Sequence, residues 1–285
     1  MSTVALVTCS ALPTLDPDET LLLDPLSDLG VTGVPAVWND PSVDWDSFDA
    51  TVIRCPWDYQ DRRARFLAWA RAVPRLYNPA KLVEWNTDKR YLGELAAAGV
   101  PVVPTTWLPP GTRVDLPEAG EWVLKPSVGA GSRDAGRYIM DDYGQGELAA
   151  AHVARLHEAG TTVMAQPYLH DVDANGERAL IYIDGELSHT VRKSAMLDGP
   201  YEGDVGLYKD EIILPSRATD AERALGAAAM EAVGGDGAPL YARVDVIGDG
   251  DDLLLLELEL AEPSLFFSHD DAAAGRMARA IAARV

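Results

Sequence analysis

The sequence predicts a mixed α/β (α+β) fold, in which an N-terminal domain with a parallel sheet precedes two α+β units. Over the first third of the chain, short apolar runs alternate with helical patterns, and this β-α-β order is typical of a parallel sheet covered by helices. Four prolines between residues 101 and 110 indicate a boundary near residue 105. Further on, Asp184-Gly185 and residues 248–250 separate apolar runs as hairpin turns do, which predicts an antiparallel later sheet.

The N-terminal part is predicted to contain three strands and three helices. The strands are Val4–Thr8, Val34–Trp38 and Ala50–Ile53, and the helices are Glu19–Leu29, Arg63–Val73 and Thr87–Ala98. The Thr87 hydroxyl is suited to cap the N-terminus of the last helix, and Gly99 follows directly after the end of that helix.

Seven strands and three helices are predicted after the proline-rich boundary. The strands are Trp122–Pro126, Arg137–Met140, Thr162–Gln166, Ala179–Ile183, Glu186–Val191, Tyr241–Ile247 and Leu253–Leu260. The helices are Glu147–Ala159, Thr219–Val233 and Ala272–Arg284. We therefore divide the chain into residues 1–105, 106–165 and 166–285.

The composition of the 285-residue chain excludes several classes of protein. Asp and Glu outnumber Lys and Arg by 45 to 24, and the formal net charge of −21 would repel nucleic acid. Cys9 and Cys55 are too few for a disulfide scaffold, which favours a reducing cytoplasm. No apolar run approaches the roughly 20 residues that a membrane-spanning helix needs. We expect a cytoplasmic protein with no nucleic-acid partner and no membrane association.

Three acidic residues near the end of the chain are candidate metal ligands. Glu257 and Glu259 are two apart on a predicted strand, so their side chains share one face. The side chains of Leu256, Leu258 and Leu260 would leave the opposite face and enter the core. Asp245 lies on the preceding strand and would sit opposite them in a hairpin. Gathered carboxylates repel each other unless cations neutralise them, and hard oxygen ligands suit Mg²⁺. The alternative is an exposed strand face with solvated charges.

A second candidate site is the loop that follows Lys125. Small residues from Ser127 to Ser132 would let backbone N–H groups approach phosphate oxygens, and Lys125 would add a point charge. No Gly-Lys pair of a P-loop occurs, and Gly129-x-Gly131 precedes a strand where a dinucleotide motif requires a helix. A surface hairpin loop is the alternative. Two further candidates also have alternatives, since Lys89 could be a solvated surface lysine and Glu177 a carboxylate in a turn.

Taken in order, these segments resemble the ATP-grasp superfamily, specifically its glutathione-synthetase-like branch. Residues 163–169 and 176–186 are similar to the hinge and ribose-binding hairpin of bacterial glutathione synthetases, and residues 241–259 to the superfamily's metal-binding hairpin. This resemblance extends over residues 78–268. The segments that resemble a narrower group, which includes the cyclo-ligase that makes D-cycloserine from O-ureido-D-serine, are residues 54–59 and 85–92 with Ser188, His189 and Lys193.

The resemblance implies an ATP-grasp fold, in which residues 1–105 form the substrate domain and the two later α+β subdomains sandwich ATP. It also implies a role for each candidate residue. The nucleotide would be bound by Lys89 and Lys125 at the α- and β-phosphates, by the loop containing Gly129, Gly131 and Ser132, by Gln166, Tyr168 and Leu169 at the adenine, and by Glu177 at the ribose. Asp245, Glu257 and Glu259 would hold two Mg²⁺ ions.

The implied activity is ATP-dependent ligation of a small amino-acid-like carboxylate through an acyl phosphate. Arg243 would act with Lys125 in catalysis by stabilising the γ-phosphoryl group and the tetrahedral intermediate. The candidate substrate residues are Arg54, Trp57, Asp58, Arg192 and Lys193. The loop Gly129–Ser132 and the segment Pro200–Lys209 are predicted lids.

Several alternatives stay open at this point. Cyclisation in antibiotic biosynthesis is the most specific activity, while an intermolecular carboxylate–amine ligase and a nucleotide-binding regulatory or scaffold protein are the others. Two positions depart from glutathione synthetases, which carry an arginine where this chain has Ala179 and an asparagine where it has Glu259. The first departure argues against glutathione-type substrates, and the second keeps an oxygen donor. Homodimers are common in the superfamily, so the resemblance allows a homodimer.

Overall fold

The computed structural model describes residues 1–203, 207, 211–233 and 239–285. Three β-sheets form within these residues. Half of the predicted lid Pro200–Lys209, namely residues 204–206 and 208–209, lies outside the described residues. None of the helices in the described part has the length and apolar character needed to cross a bilayer.

The first sheet is parallel and has the strand order β2-β1-β3-β4. Its strands are β1 (Ser2–Thr8), β2 (Val31–Val37), β3 (Ala50–Cys55) and β4 (Leu76–Tyr77). The helices of this part are α1 (Pro17–Thr20), α2 (Leu23–Asp28) and α3 (Arg63–Ala72). The apolar run of β1 is buried throughout because β1 pairs on both edges and is covered on both faces.

The predicted helix Glu19–Leu29 is wrong in one respect, since two short helices replace it. The Asp16 carboxylate accepts a hydrogen bond from the Asp18 N–H and caps α1, whose first residue is Pro17. Pro25 lacks the N–H that a continuous helix would donate to the carbonyl of Leu21. The chain therefore starts a new helix, α2, at Leu23.

The predicted helix Thr87–Ala98 starts later than expected. It corresponds to α5 (Tyr91–Ala97), and an unpredicted helix, α4 (Ala80–Asn86), precedes it. Thr87 is the C-cap of α4, since its N–H donates to the Val83 carbonyl at 3.0 Å. Its predicted role as an N-cap is therefore wrong.

The second and third sheets are antiparallel, as the hairpin turns predict. The central sheet has the order β5-β8-β6-β7 and contains β5 (Thr106–Leu108), β6 (Glu121–Pro126), β7 (Gly136–Ile139) and β8 (Val163–Pro167). The third sheet has the order β11-β10-β9-β12-β13 and contains β9 (Glu177–Ile183), β10 (Glu186–Lys193), β11 (Ile213–Ser216), β12 (Tyr241–Ile247) and β13 (Leu254–Glu259). The remaining helices are α6 (Gln145–Glu158), α7 (Asp171–Asn175), α8 (Asp220–Val233) and α9 (Ala273–Ala282).

The core joins the first and third sheets. Leu6 of β1, Ile181 of β9 and Met277 of α9 belong to one buried apolar cluster. Helix α8 packs on the opposite face of the third sheet, where Leu225 meets Leu180. Because of this shared core, the parallel N-terminal sheet lies directly beside the hairpin that carries the candidate metal ligands.

Candidate active site

The β12–β13 hairpin brings the predicted acidic residues together. Asp245 pairs with Glu257 and Arg243 with Glu259 in the strand register. These four side chains line one cleft between the central and third sheets, which we call the central cleft. The predicted convergence on one sheet face is therefore present.

The predicted burial of Leu256 in the core is wrong, because β13 contains a β-bulge at this residue. The register shifts between Asp245 and Val246, so that Leu255, and not Leu256, lies opposite Val246. Leu255 consequently enters the core with Leu258, whereas Leu256 lines the central cleft. Strict alternation along a strand fails here because a bulge places two residues against one.

The outer edge of β13 is held by polar side chains that the sequence interpretation missed. The Asn86 amide donates to the Leu258 carbonyl at 2.7 Å and accepts from the Leu260 N–H at 2.6 Å. The Tyr91 hydroxyl also donates to the Leu258 carbonyl at 2.7 Å. Asn78 donates to the Leu260 carbonyl at 2.7 Å. These bonds satisfy the free edge of β13 and fix the position of its two glutamates.

Asp245 and Glu177 share a buried lysine. Lys193 Nζ lies 2.8 Å from Asp245 Oδ2 and 2.5 Å from Glu177 Oε1. Arg243 Nε lies 2.9 Å from Asp245 Oδ1, and the same guanidinium pairs with Glu259. Burial alone would raise the pKa of Asp245, but the charges of Arg243 and Lys193 outweigh it and hold that pKa below its usual value.

Glu257 faces the two predicted nucleotide lysines. Lys89 Nζ lies 2.9 Å from Glu257 Oε1, and Lys125 Nζ lies 3.8 Å from Oε2. Burial lowers the pKa of Lys125 below its ordinary value, with the charge of Glu257 opposing this effect and the charges of Lys89 and Lys193 adding to it. Glu257 therefore keeps two cationic side chains at the place where an anionic ligand would need them.

At Glu259, burial together with the neighbouring carboxylates outweighs the charge of Arg243. Burial raises the pKa of Glu259 to about 8, and the charges of Glu257 and Asp245 add to that effect while Arg243 opposes it. In the part of the chain that the structure describes, no three acidic, His or Cys side chains are grouped as ligands, because each carboxylate turns toward a lysine or arginine. Three hard oxygen donors with excess negative charge nevertheless fit Mg²⁺.

The glycine-containing loop lies against these lysines. Lys89 Nζ donates to the Gly129 carbonyl at 2.6 Å, and the Ala130 N–H donates to Gln60 Oε1 at 2.6 Å. Gly131 has a φ of +60°, a backbone conformation that glycine adopts without strain. Gly129, Gly131 and Ser132 all line the central cleft.

The other predicted nucleotide residues line the far end of the same cleft. Gln166 is buried and donates to Thr105 Oγ1 at 3.0 Å. The Tyr168 N–H already donates to the Glu121 carbonyl at 2.8 Å. At Tyr168, therefore, only the backbone carbonyl is left to form a hydrogen bond with an adenine. Leu169 lies next to Tyr168.

Glu177 depends on the glycine before it. Gly176 has a φ of +67°, and a Cβ at this position would lie 2.3 Å from the Lys193 carbonyl. Only glycine fits this close approach, which brings Glu177 into the cleft beside Lys193. The turn at Gly176 therefore determines the position of Glu177 in the cleft.

The predicted substrate residues are separated by the structure. Lys193 lines the central cleft, and Trp57 lines an adjoining pocket that opens beside Arg243 and Glu259. Arg192 precedes Lys193 on β10 and lines neither space, because neighbouring strand residues point to opposite faces. Its role in substrate binding stays a prediction.

Arg54 and Asp58 also lie outside these two spaces. Asp58 accepts hydrogen bonds from Trp38 Nε1 at 2.7 Å and from Arg62 at 2.6 Å, and lines neither the cleft nor the pocket. Arg54 is fully buried, and its Nε and Nη2 each lie 2.7 Å from an oxygen of Glu19. The role of both residues in substrate binding stays a prediction, and the contacts that Arg54 makes in this arrangement are structural.

Comparison with known proteins assigns the chain to a family. A family model described as the N-terminal domain of D-cycloserine synthetase DcsG matches residues 4–78. The cycloserine biosynthesis protein DcsG of Streptomyces lavendulae is 39% identical over 302 residues, which cover 100% of this chain and 99% of the relative. The chain belongs to the DcsG family.

Solved structures agree with this family and with the predicted fold. The crystal structure of D-cycloserine synthetase DcsG matches with a TM-score of 0.88 and 38% identity, over 99% of both chains. D-alanine–D-alanine ligase from Bacillus anthracis, complexed with ATP, matches with a TM-score of 0.65 and 14% identity, over 99% of this chain and 96% of the ligase. The ATP-grasp fold is thereby confirmed, and this DcsG-family chain is an ATP-dependent carbon–nitrogen ligase.

The buried ion pair gives a stability prediction for this DcsG-family chain. Arg54 also donates to the Pro263 carbonyl at 2.9 Å, and so it connects β3 to the segment after the β12–β13 hairpin. Arg54→Met leaves the Glu19 carboxylate buried without its partner, and we expect the free energy of unfolding to fall by about 3–5 kcal/mol. Denaturant unfolding monitored by circular dichroism measures this change.

A double variant distinguishes charge from packing at this pair. Arg54→Met with Glu19→Gln removes both charges, and we expect it to recover part of the lost stability because no isolated charge stays buried. Equal destabilisation of the single and double variants would contradict the importance of the unpaired charge.

Proposed function

We propose that this chain activates the carboxylate of a small amino-acid derivative with ATP and closes a ring onto it. The specific reaction is formation of D-cycloserine, which the relatives' names contain, with O-ureido-D-serine as the proposed substrate. The observation that carries this proposal is the position of Arg243, which lies between the cation-lined cleft and the adjoining pocket and lines both. A phosphate in the cleft would thus face a carboxylate in the pocket.

The cleft residues would act on the nucleotide in the following way. Lys89 and Lys125 offset charge on the phosphates, and the backbone of the loop at Gly129–Ser132 binds their oxygens. Gln166 with the backbone beside it binds the adenine, and Glu177 binds the ribose hydroxyls. Asp245, Glu257 and Glu259 would hold two Mg²⁺ ions, which supply charge neutralisation to the triphosphate.

The substrate carboxylate then attacks the γ-phosphorus, and ADP leaves. Arg243 stabilises charge on the transferred phosphoryl group and on the tetrahedral intermediate that forms next. A nitrogen of the substrate attacks the carbonyl carbon of the acyl phosphate, and phosphate departs. With O-ureido-D-serine this leaves the carbamoyl group on the ring nitrogen, and hydrolysis of that group to CO2 and ammonia then gives D-cycloserine. Water would hydrolyse the acyl phosphate, so the loop over the cleft must exclude it.

The predicted division at residues 105 and 165 fits this mechanism. Residues 1–105 carry the parallel sheet and Trp57 of the adjoining pocket. Residues 106–165 supply Lys125 and the glycine-containing loop, and residues 166–285 supply the acidic hairpin. We propose these three segments as the functional units of a small-molecule ligase.

Product analysis tests the proposed function. Incubation with ATP, Mg²⁺ and O-ureido-D-serine is expected to release ADP and phosphate and to form D-cycloserine, detected by mass spectrometry. A chelator such as EDTA should abolish ADP release, and excess Mg²⁺ should restore it, because the acidic hairpin needs divalent cations to bind the triphosphate productively.

Other outcomes of the same assay support other functions. AMP and pyrophosphate would indicate adenylation of the carboxylate. ADP release only with a second amino acid or amine would indicate an intermolecular ligase. Tight ATP binding without turnover on any of these substrates would favour a regulatory or scaffold protein.

A further inference from the structure

Glu262 lies where the central cleft meets the adjoining pocket. It follows β13 by three residues and lines both spaces, as Arg243 and Glu259 do. The residue is only 8% exposed, so its carboxylate is largely shielded from solvent. A group at this junction reaches the place where a phosphorylated carboxylate and its attacking nucleophile would meet.

The N-terminal part of the chain holds Glu262 from two sides. Trp57 Nε1 donates to the Glu262 carbonyl at 3.0 Å, which fixes the backbone. The Tyr59 hydroxyl hydrogen-bonds to the Glu262 carboxylate, which orients the side chain. Both residues lie just after β3, so the substrate side of the molecule positions this carboxylate.

Glu262 differs from the three candidate metal ligands in its partners. Asp245, Glu257 and Glu259 each pair with a lysine or arginine. Across the described residues, Glu262 forms no such ion pair, and its carboxylate keeps acceptor capacity beyond the Tyr59 bond. Burial raises its pKa to about 7, with Tyr59 and Lys89 opposing the rise and Glu257 adding to it.

A nitrogen nucleophile presents N–H donors and must lose a proton when it forms an amide bond. A carboxylate with free acceptor capacity at this junction matches that need, whereas Arg243 and the lysines of the cleft can only donate. We propose that the Glu262 carboxylate binds an N–H group of the attacking nitrogen and takes its proton as the carbon–nitrogen bond forms. This inference rests on the proposed function, and it identifies the residue that binds the attacking nitrogen in that reaction.

The proposed step balances in atoms and electrons. The nitrogen lone pair forms the bond to the carbonyl carbon, and the bond from that carbon to the phosphate oxygen breaks with its electron pair on the oxygen. The proton passes from nitrogen to Glu262 and from Glu262 to the departing phosphate, which restores the carboxylate. The substrate class is therefore an amino-acid derivative whose own side chain carries an N–H nucleophile.

Hydroxylamine separates acyl-phosphate formation from nitrogen attack. It is a strong small nucleophile that traps acyl phosphates as hydroxamates without assistance from a base. We expect Glu262→Gln to keep ADP release and hydroxamate formation near the wild-type rate in the presence of hydroxylamine. Ring formation without hydroxylamine should fall by about 10²-fold or more, the usual contribution of a general base.

Two further variants complete the experiment. Glu158→Gln, at the exposed end of α6, is the matched control and should leave both reactions unchanged. Tyr59→Phe removes the hydrogen bond to Glu262 and should slow ring formation alone, which keeps the inference testable if Glu262→Gln does not fold.

Three results would overturn the inference. Wild-type ring formation by Glu262→Gln would show that the carboxylate takes no part. Loss of both hydroxamate and ring by a folded variant that binds ATP would place Glu262 in the phosphoryl-transfer step instead. If the wild-type chain itself forms neither hydroxamate nor ring, the proposed function fails and the inference fails with it.

Discussion

Glu257→Gln is expected to abolish ADP formation, with a loss of about 10³-fold or more in turnover. Glu257 lies opposite Asp245 in the hairpin and contacts Lys89 at 2.9 Å. The substitution keeps the shape of the side chain but removes the charge of one of the three carboxylates that we propose as Mg²⁺ ligands. Steady-state ADP release at saturating ATP and substrate measures the effect.

Binding of ATP without metal provides the internal control for this variant. Glutamine frees Lys89 and Lys125 from their carboxylate counter-ion, so Mg²⁺-free ATP should bind at least as tightly as it does to the wild-type chain. Calorimetric titration with and without Mg²⁺ separates the two contributions. Glu158→Gln should match the wild type in both measurements, and near-normal turnover by Glu257→Gln would disprove the metal assignment.

The sequence predicts the antiparallel third sheet and its acidic hairpin well because both depend on local patterns. Asp184-Gly185 specifies a tight turn, and the spacing of Glu257 and Glu259 specifies one strand face. The bulge at Leu256 is not local in this sense. It depends on how β13 pairs with β12, and the sequence of one strand does not specify the register in which it pairs with another.

The sequence does not predict where the candidate substrate residues lie, for a different physical reason. Arg54 is found in a segment with Trp57 and Asp58, yet its side chain turns into the core to meet Glu19, a residue 35 positions earlier. Burial of a charge requires a partner, and sequence cannot show which partner the fold brings near. Asn86 was missed for the same reason, because its partners on β13 lie more than 170 residues away.

Arg243→Met is expected to lower kcat by about 10²–10³-fold, the typical loss when one donor to a developing oxyanion is removed. Arg243 lines both the cleft and the pocket, and its guanidinium pairs with Asp245 and Glu259. The KM for ATP should change less than kcat, because Lys89 and Lys125 remain to bind the phosphates. Rates of substrate-dependent ADP release, with Arg113→Met at an exposed surface position as the control, test this split.

A purely structural role for Arg243 makes a different prediction, and Arg243→Lys separates the two. Lysine keeps the positive charge beside Asp245 but cannot make the bidentate contact of a guanidinium. If Arg243 were only a counter-ion for the acidic hairpin, Arg243→Lys would restore both thermal stability and kcat. If Arg243 stabilises the phosphoryl group, Arg243→Lys should restore stability while kcat stays low. Equal recovery of both quantities would therefore remove Arg243 from the chemical step.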